Sequence, residues 1–443
     1  MSVEPYPRAR TAWYALFVLT VCYTLSYVDR QIIAFLVDPL KQELSISDTK
    51  IGLLQGIYFA IFYTFVGLPM GWLADRYSRR NIVAAGVFFW SVMTTLSGFA
   101  RSYVTLALAR MGVGIGEATT NPCAFSIISD YFPRERLSTA LSIYMMGIQL
   151  GSGLALIIGG VVVHAITQMP PVELAPFGTI APWRLTFMAV GLPGLLFTLL
   201  VFTFKEPVRR ALMLDAQGKR QTVALPDALR QVLTRWQSVF GIALMIGSQA
   251  LCNYTLLSWG PAFFERVHHW PRNKIGLTLG LITLGSGCIG LITGGRLADY
   301  WQRRGVGDGT LRVGLISLIG VGIFLPTAMI QSQASGTVMT LVIAVFFVGL
   351  PIGCGYAALQ YIFPNQIRGV ASAIVLFVVN FTGLGLGSLL PGLLNDQWFQ
   401  DPLKVGQSIA LTVVIASSLG AMVVLWTMPH YRRHYEQMRA TLT

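Results

Sequence analysis

Apolar residues fall in long runs that recur from one end of the chain to the other, and polar residues collect in the stretches between them. A helix needs about 20 such residues to cross the hydrocarbon core of a bilayer. Twelve runs reach or approach that length: 12–37, 51–74, 82–99, 103–129, 138–164, 184–204, 237–262, 275–297, 311–331, 338–360, 370–393 and 406–428. Segments such as Ile82–Phe99 are apolar on every face. Strands of a membrane barrel instead alternate over about ten residues. The pattern therefore predicts an all-α integral membrane protein with twelve transmembrane helices.

Composition agrees. Of 443 residues, 54% are hydrophobic and 12% are charged, whereas a soluble globular chain carries roughly 25% charged residues. The first run is longer than a cleaved signal peptide, holds Asp29 and Arg30, and lacks a small-residue cleavage site after it, so the mature chain is expected to begin near Met1. Cys22, Cys123, Cys252, Cys288 and Cys354 all lie in apolar segments and form no Cys-x-x-Cys pair. They read as packing residues, with no metal or cofactor implied.

The net charge of +13 raises the question of nucleic acid. Its placement answers it. With the amino terminus set inside, 21 of the 32 Lys and Arg residues fall in inner segments and eight in outer ones. This is the positive-inside bias, and it predicts both termini in the cytoplasm, with basic residues serving topology and anionic-lipid contact. A nucleic-acid partner is excluded, and the expected location is a bacterial inner (plasma) membrane.

The decapeptide GWLADRYSRR at 71–80 returns as GRLADYWQRR at 295–304, and Phe132-Pro133 is echoed by Phe363-Pro364. Repeats of this kind indicate duplication. The expected organisation is an N-terminal six-helix bundle at 1–204, a cytoplasmic linker at 205–236, a C-terminal six-helix bundle at 237–428 and a tail at 429–443. In the linker, Leu225, Leu229, Val232, Leu233 and Trp236 share a helical face behind Pro226, which predicts a short amphipathic surface helix.

Gly71, Leu73, Asp75, Arg76, Arg79 and Arg80 match the signature between helices 2 and 3 of the major facilitator superfamily, and the resemblance covers nearly the whole chain. The second copy has Tyr300 where the signature has Arg. Tyr27-Val28-Asp29-Arg30-Gln31, Gly112-Val113-Gly114-Ile115-Gly116-Glu117-Ala118 and Ser129-Asp130-Tyr131-Phe132-Pro133 resemble the Spinster branch, mainly in the first half. That branch is associated with export of sphingolipids, such as sphingosine-1-phosphate, and of lysophospholipids. The resemblance implies two pseudo-symmetric six-helix bundles in the major facilitator fold, working as a monomer. The helix 5 stretch GIQLGSGLALIIGG lacks the Gly-Pro pair usual in proton antiporters, so antiport does not carry over.

Charges inside a membrane are costly and point to function. Asp29 and Arg30 lie in helix 1, and Arg110 and Glu117 in helix 4. Arg110 and Glu117 share a helix face about 10 Å apart, with Gly114 between them leaving room for another helix. Depth along the helices allows Asp29 to meet Arg110, and Arg30 to meet Glu117. Asp29 is the expected main proton site and Glu117 the second. A static salt-bridge network is the competing account, but buried pairs stabilise poorly. Arg30 and Arg110 suit a phosphate or carboxylate head group. In the second half Gln249, Asn253, Tyr254, Tyr356, Gln360, Tyr361 and Asn380 are polar candidates lining an otherwise apolar wall; packing is the alternative for the aromatic ones.

Asp75 and Asp299, at inner helix ends, read as gate residues able to meet a helix amino terminus or a loop arginine. Arg76 and Arg80 of the signature, with Asp130 and Arg136, complete that set. The superfamily resemblance implies that the signature steadies the outward-facing state. Gly112/Gly116, Gly147/Gly151, Gly290/Gly294 and Gly383/Gly387 have the Gly-x-x-x-Gly spacing of close helix contacts.

Gly112-x-Gly114-x-Gly116 sits mid-helix with no strand before it, so it is no nucleotide fingerprint. No Walker motif or Gly-x-Ser-x-Gly elbow occurs, and the five histidines lie at membrane edges or in the tail. A membrane enzyme would need a nucleophile–base pair or metal-bound carboxylates near the head groups, and the sequence offers neither. The expected function is proton-linked secondary transport of an amphiphilic anion such as a lysophospholipid or sphingolipid by alternating access. The alternative is a proton-coupled transporter of a small organic anion or drug-like solute, and a transport-dead receptor is a third class. The expected partners are that substrate, protons and membrane lipids.

Overall fold

The computed structural model describes residues 6–170, 172–174, 178–209, 225–352, 354–363 and 365–440. Twelve helices account for the twelve apolar runs. In the first half they are α1 (Ala9–Phe35), α2 (Asp48–Ala74), α3 (Arg79–Ser97), α4 in two pieces (Tyr103–Glu117 and Thr120–Tyr131), α5 (Arg134–Thr167) and α6 (Pro182–Val201). In the second they are α7 (Trp236–Arg266), α8 (Arg272–Arg303), α9 (Gly309–Met329), α10 in two pieces (Ala334–Gly349 and Ala357–Ile362), α11 (Val370–Phe399) and α12 (Val405–Ala440). Among the described residues, nine of these are long and apolar enough to cross a membrane on length and composition, and Ala334–Gly349 is a shorter one. Large apolar side chains such as Leu196, Leu199 and Met339 are exposed, as lipid-facing surfaces require.

Chain contacts divide the molecule into two units, Met1–Met213 with Pro271–Gly280, and Leu214–Trp270 with Leu281–Thr443. Within the first, α1 packs on α5, α3 on α6 and α4, and α2 on α4. Within the second, α7 packs on α11, α9 on α12 and α10, and α8 on α10. The same six-helix scheme thus occurs twice, as the repeated decapeptide requires. A π-turn interrupts α2 at Leu53–Ile57 and α8 at Thr283–Gly287.

The run at 103–129 is not one continuous helix. Its break follows Glu117 because Pro122 has no N–H for the Ala118 carbonyl. Its counterpart α10 breaks at Pro351 for the same reason. There the freed Phe347 carbonyl accepts the Ser317 hydroxyl at 2.6 Å, and the Val348 carbonyl accepts Gln249 Nε2 at 3.0 Å. Buried backbone acceptors are thereby satisfied from neighbouring helices.

The Gly-x-x-x-Gly pairs lie at helix contacts. Gly147 and Gly151 of α5 sit against the rings of Tyr23 and Tyr27, and Gly290 and Gly294 of α8 against the α10 backbone at Phe346 and Leu350. A short hairpin, β1 (Val172–Leu174) with β2 (Gly178–Ile180), joins α5 to α6. The linker contains a helix, Leu225–Thr234, with Val232 buried in the core of the second unit and Leu229 and Leu233 exposed. Residues 210–224 of the linker, and Pro364 of the Phe-Pro echo, lie outside the described residues. The helix α12 continues through Pro429 to Ala440, so the described tail is helical.

Candidate functional site

The four membrane charges gather in the first unit, where glycines let α4 pack closely on α2 and α3. A Cβ at Gly114 of α4 would lie 2.9 Å from the Phe59 carbonyl of α2, and one at Gly116 would lie 2.7 Å from the Trp90 backbone nitrogen of α3. The helix for which Gly114 leaves room is therefore α2. Asp29 and Arg30 occupy the last turn of α1 before it tightens to a 3-10 turn at Ile32–Phe35. Glu117 ends the first piece of α4. All four charged side chains are buried.

Arg30 Nη2 donates to Glu117 Oε2 at 2.5 Å. Arg110 does approach Asp29, but its Nη1 donates to the Asp29 main-chain carbonyl at 3.2 Å rather than to the carboxylate. The Asp29 carboxyl group faces Trp90 and Thr94 of α3. The expected carboxylate–guanidinium pair is thus replaced by a backbone contact, because Asp29 is rotated toward α3. Among the described residues, Arg110 Nε and Nη2 and Glu117 Oε1 are buried without a hydrogen-bond partner.

The polar candidates of the second unit spread over three helices. Asn253 and Tyr254 are half-buried on α7, with Tyr254 beside Gly387 of α11. Gln249 ties α7 to α10 through the carbonyls described above. Tyr356 packs against the apolar core of its unit, and Asn380 opens the π-turn of α11 at Asn380–Leu386. Gln360 is exposed, and Tyr361 turns to α12, edge-on to Tyr435 at 6.3 Å.

At the end of the first unit that carries the signature, the hub is Arg79. Its guanidinium binds Asp130, Glu206 Oε1 at 2.8 Å, Ser126 Oγ at 2.9 Å and the Pro207 carbonyl at 2.9 Å. Glu206 in turn sits on the amino terminus of α3, accepting from the Arg79 and Arg80 backbone N–H groups at 3.3 and 2.8 Å and from the Ser78 hydroxyl at 3.0 Å. Burial pushes the Glu206 carboxyl up, but the Arg80 N–H, Arg79 and Ser78 outweigh it and hold it below its ordinary 4.5. Arg80 also donates to the Phe204 carbonyl at 3.2 Å, and Arg76 is exposed over the Trp72 ring at 3.8 Å. Asp130 pairs with Arg79, while Arg136 is exposed. The side chain of Asp75 lies outside the described residues.

Glu206 was not singled out by sequence reasoning, and Arg79 only as part of the signature. The available signal was an acid directly after the sixth apolar run, within an otherwise basic stretch. The second copy is built differently. Asp299 and Arg303 are exposed. The buried acid is Asp308, bound by Arg432 Nη2 at 2.7 Å and Arg312 Nε at 3.2 Å.

Comparison with known proteins agrees with this architecture. The family model of the Major Facilitator Superfamily matches residues 19–388. An MFS-type efflux pump of Mycolicibacterium smegmatis is 28% identical over 440 residues, covering 96% of this chain and 94% of the relative. The sphingosine-1-phosphate transporter SPNS2 of Xenopus tropicalis is 26% identical over 411 residues, covering 89% and 73%. The crystal structure of a bacterial homolog of the human lysosomal transporter Spinster, inward-facing and unoccupied, superposes with a TM-score of 0.77 at 23% identity, covering 98% of this chain and 99% of that one. With the matched profile spanning most of its length and the duplicated six-helix scheme in place, the chain belongs to the major facilitator superfamily, as an integral membrane transporter similar to the Spinster proteins.

Proposed function

We propose that the protein is a proton-linked secondary transporter of an amphiphilic anion, a lysophospholipid or sphingolipid, working by alternating access. The observation that carries this reading is the buried Arg30–Glu117 pair beside Arg110 and Asp29. A buried ion pair adds little stability, so its presence is better explained by a change of partner. Neutralising Glu117 removes the charge holding Arg30, whose planar fork then suits a phosphate or carboxylate. Asp29 is the main proton site in this scheme. The Thr94 hydroxyl beside it can donate to a carboxylate or accept from a carboxylic acid. Asn253, Tyr254, Tyr356, Tyr361 and Asn380 supply the substrate contacts of the second half. The Arg79 hub, with Asp75, Arg76, Arg80, Asp130, Arg136 and Asp299, belongs to the gate. Both termini lie in the cytoplasm of a bacterial inner membrane, and the protein acts as a monomer.

The test is flux of a labelled lysophospholipid or sphingosine phosphate in proteoliposomes, with and without a pH gradient. Gradient-driven flux that is lost in Asp29→Asn and Glu117→Gln supports the reading. Gradient-driven flux that survives neutralisation of both carboxylates overturns the coupling assignment. The similarity to an efflux pump favours a second cargo class, a small organic anion or drug-like solute. Folded protein that moves such a solute and no lipid would select it.

A further inference from the structure

Three aromatic rings from α1 and α2 stand around the guanidinium of Arg30, and further side chains tie two of them to α4 and α5. The guanidinium carbon stands 4.9 Å from the ring centre of Tyr27, 4.5 Å from that of Phe59 and 5.4 Å from that of Tyr63. Tyr63 is fixed in turn, since its hydroxyl accepts Asn121 Nδ2 at 3.0 Å, and Asn121 Oδ1 accepts the Tyr144 hydroxyl at 2.7 Å. Tyr144 stacks on Tyr23 at 5.0 Å, and Tyr23 meets Tyr27 edge-on at 5.5 Å, which leads back to α1. Phe59 and Tyr63 stack on each other at 5.4 Å.

Aromatic faces carry negative charge density that attracts a cation and repels an anion. The three rings therefore attract Arg30 whether or not Glu117 is charged, and share the hold on its guanidinium with the Glu117 carboxylate only while that group is charged. Their net contribution is greatest when Glu117 is neutral. The other charged groups around Glu117 are Arg110 on its own helix and Asp29 on α1; neither takes part in the ring contacts described. We propose that Tyr63, with Tyr27 and Phe59, is a positioning residue that keeps the Arg30 guanidinium in place when Glu117 gives up its charge. This rests on the reading of Glu117 as a group that becomes neutral during transport. The hydroxyl of Tyr63 orients the ring through Asn121, and the ring face holds the cation.

A double-mutant cycle tests it in the full-length protein in detergent, with thermal unfolding midpoints for wild type, Glu117→Gln, Tyr63→Leu and the double variant. The double variant should lose about 1–2 °C more than the sum of the single losses, and Tyr63→Phe in the Glu117→Gln background should restore most of that excess. Additive losses, or a Phe variant as impaired as the Leu variant, overturn the proposal. Phe59→Leu serves in the same cycle if Tyr63→Leu does not fold. Lysophospholipid flux in the same set separates this proposal from the functional reading. Coupled unfolding with no lipid flux in wild type keeps the ring box and removes the lipid cargo. Lipid flux with an additive cycle keeps the cargo and removes the box.

Discussion

Gly114 and Phe59 stand so close across the α4–α2 contact that a Cβ at Gly114 would meet the Phe59 carbonyl at 2.9 Å. The obstacle is backbone, which cannot swing aside as a flexible side chain can. Gly114→Ala must therefore push α2 away and carry Phe59 and Tyr63 off Arg30. The expected cost is about 1–3 kcal/mol, read as a lower unfolding midpoint, with transport impaired more than stability. An unchanged midpoint and unchanged flux would show that the contact has slack.

Glu206 links the chain after α6 to the amino terminus of α3 and to Arg79. Its folded-state value lies below the ordinary 4.5. The unfolded chain thus binds this proton more readily, and the contribution of Glu206 is complete above 4.5, then lost as pH falls through the lower folded value. Glu206→Gln should lower stability near neutral pH by about 1 kcal/mol, discounted for partial exposure. The difference between variant and wild type should shrink below pH 4.5. Unfolding midpoints across pH 3–7 (roughly, the range bracketing carboxylate titration) measure it.

The acid of the second signature copy and the buried acid that follows it should respond unequally. Asp299 is exposed, so Asp299→Asn should change stability by no more than about 0.5 kcal/mol. Asp308 is buried under Arg432 and Arg312. Asp308→Asn should cost about 1–3 kcal/mol by leaving their charge-assisted hydrogen bonds weakened. Equal effects in parallel unfolding measurements would contradict the asymmetry.

Arg30→Lys keeps the charge but loses the planar fork that meets Glu117 and lies among the rings. For an anionic cargo the expected result is a rise in KM of about tenfold, equivalent to about 1.4 kcal/mol. A KM unchanged in concentration-dependent flux would remove Arg30 from substrate binding.

Much of the architecture was legible in the chain, and the reason is local. A crossing helix must satisfy its backbone within itself and stay apolar for its whole length, so each crossing is written in a contiguous run. Duplication was equally visible in the decapeptide at 71–80 and 295–304. The rarity of charge inside such runs singled out Asp29, Arg30, Arg110 and Glu117.

Pairing among those residues was decided only by tertiary packing. Helical periodicity places a side chain on a face but leaves the rotation of one helix against another undetermined. That rotation turns the Asp29 carboxyl toward Trp90 and Thr94 and offers Arg110 a carbonyl instead. It also sets three rings around Arg30. Glu206 reaches Arg79 across 127 positions, and Arg432 reaches Asp308 across 124. The membrane constrains each segment by itself, so the sequence alone determined the crossings, the repeat and the identity of the four charges inside helices 1 and 4. Partners and angles depend on how close helices can approach, at Gly114 and Gly116 above all, and only the folded structure settles that distance.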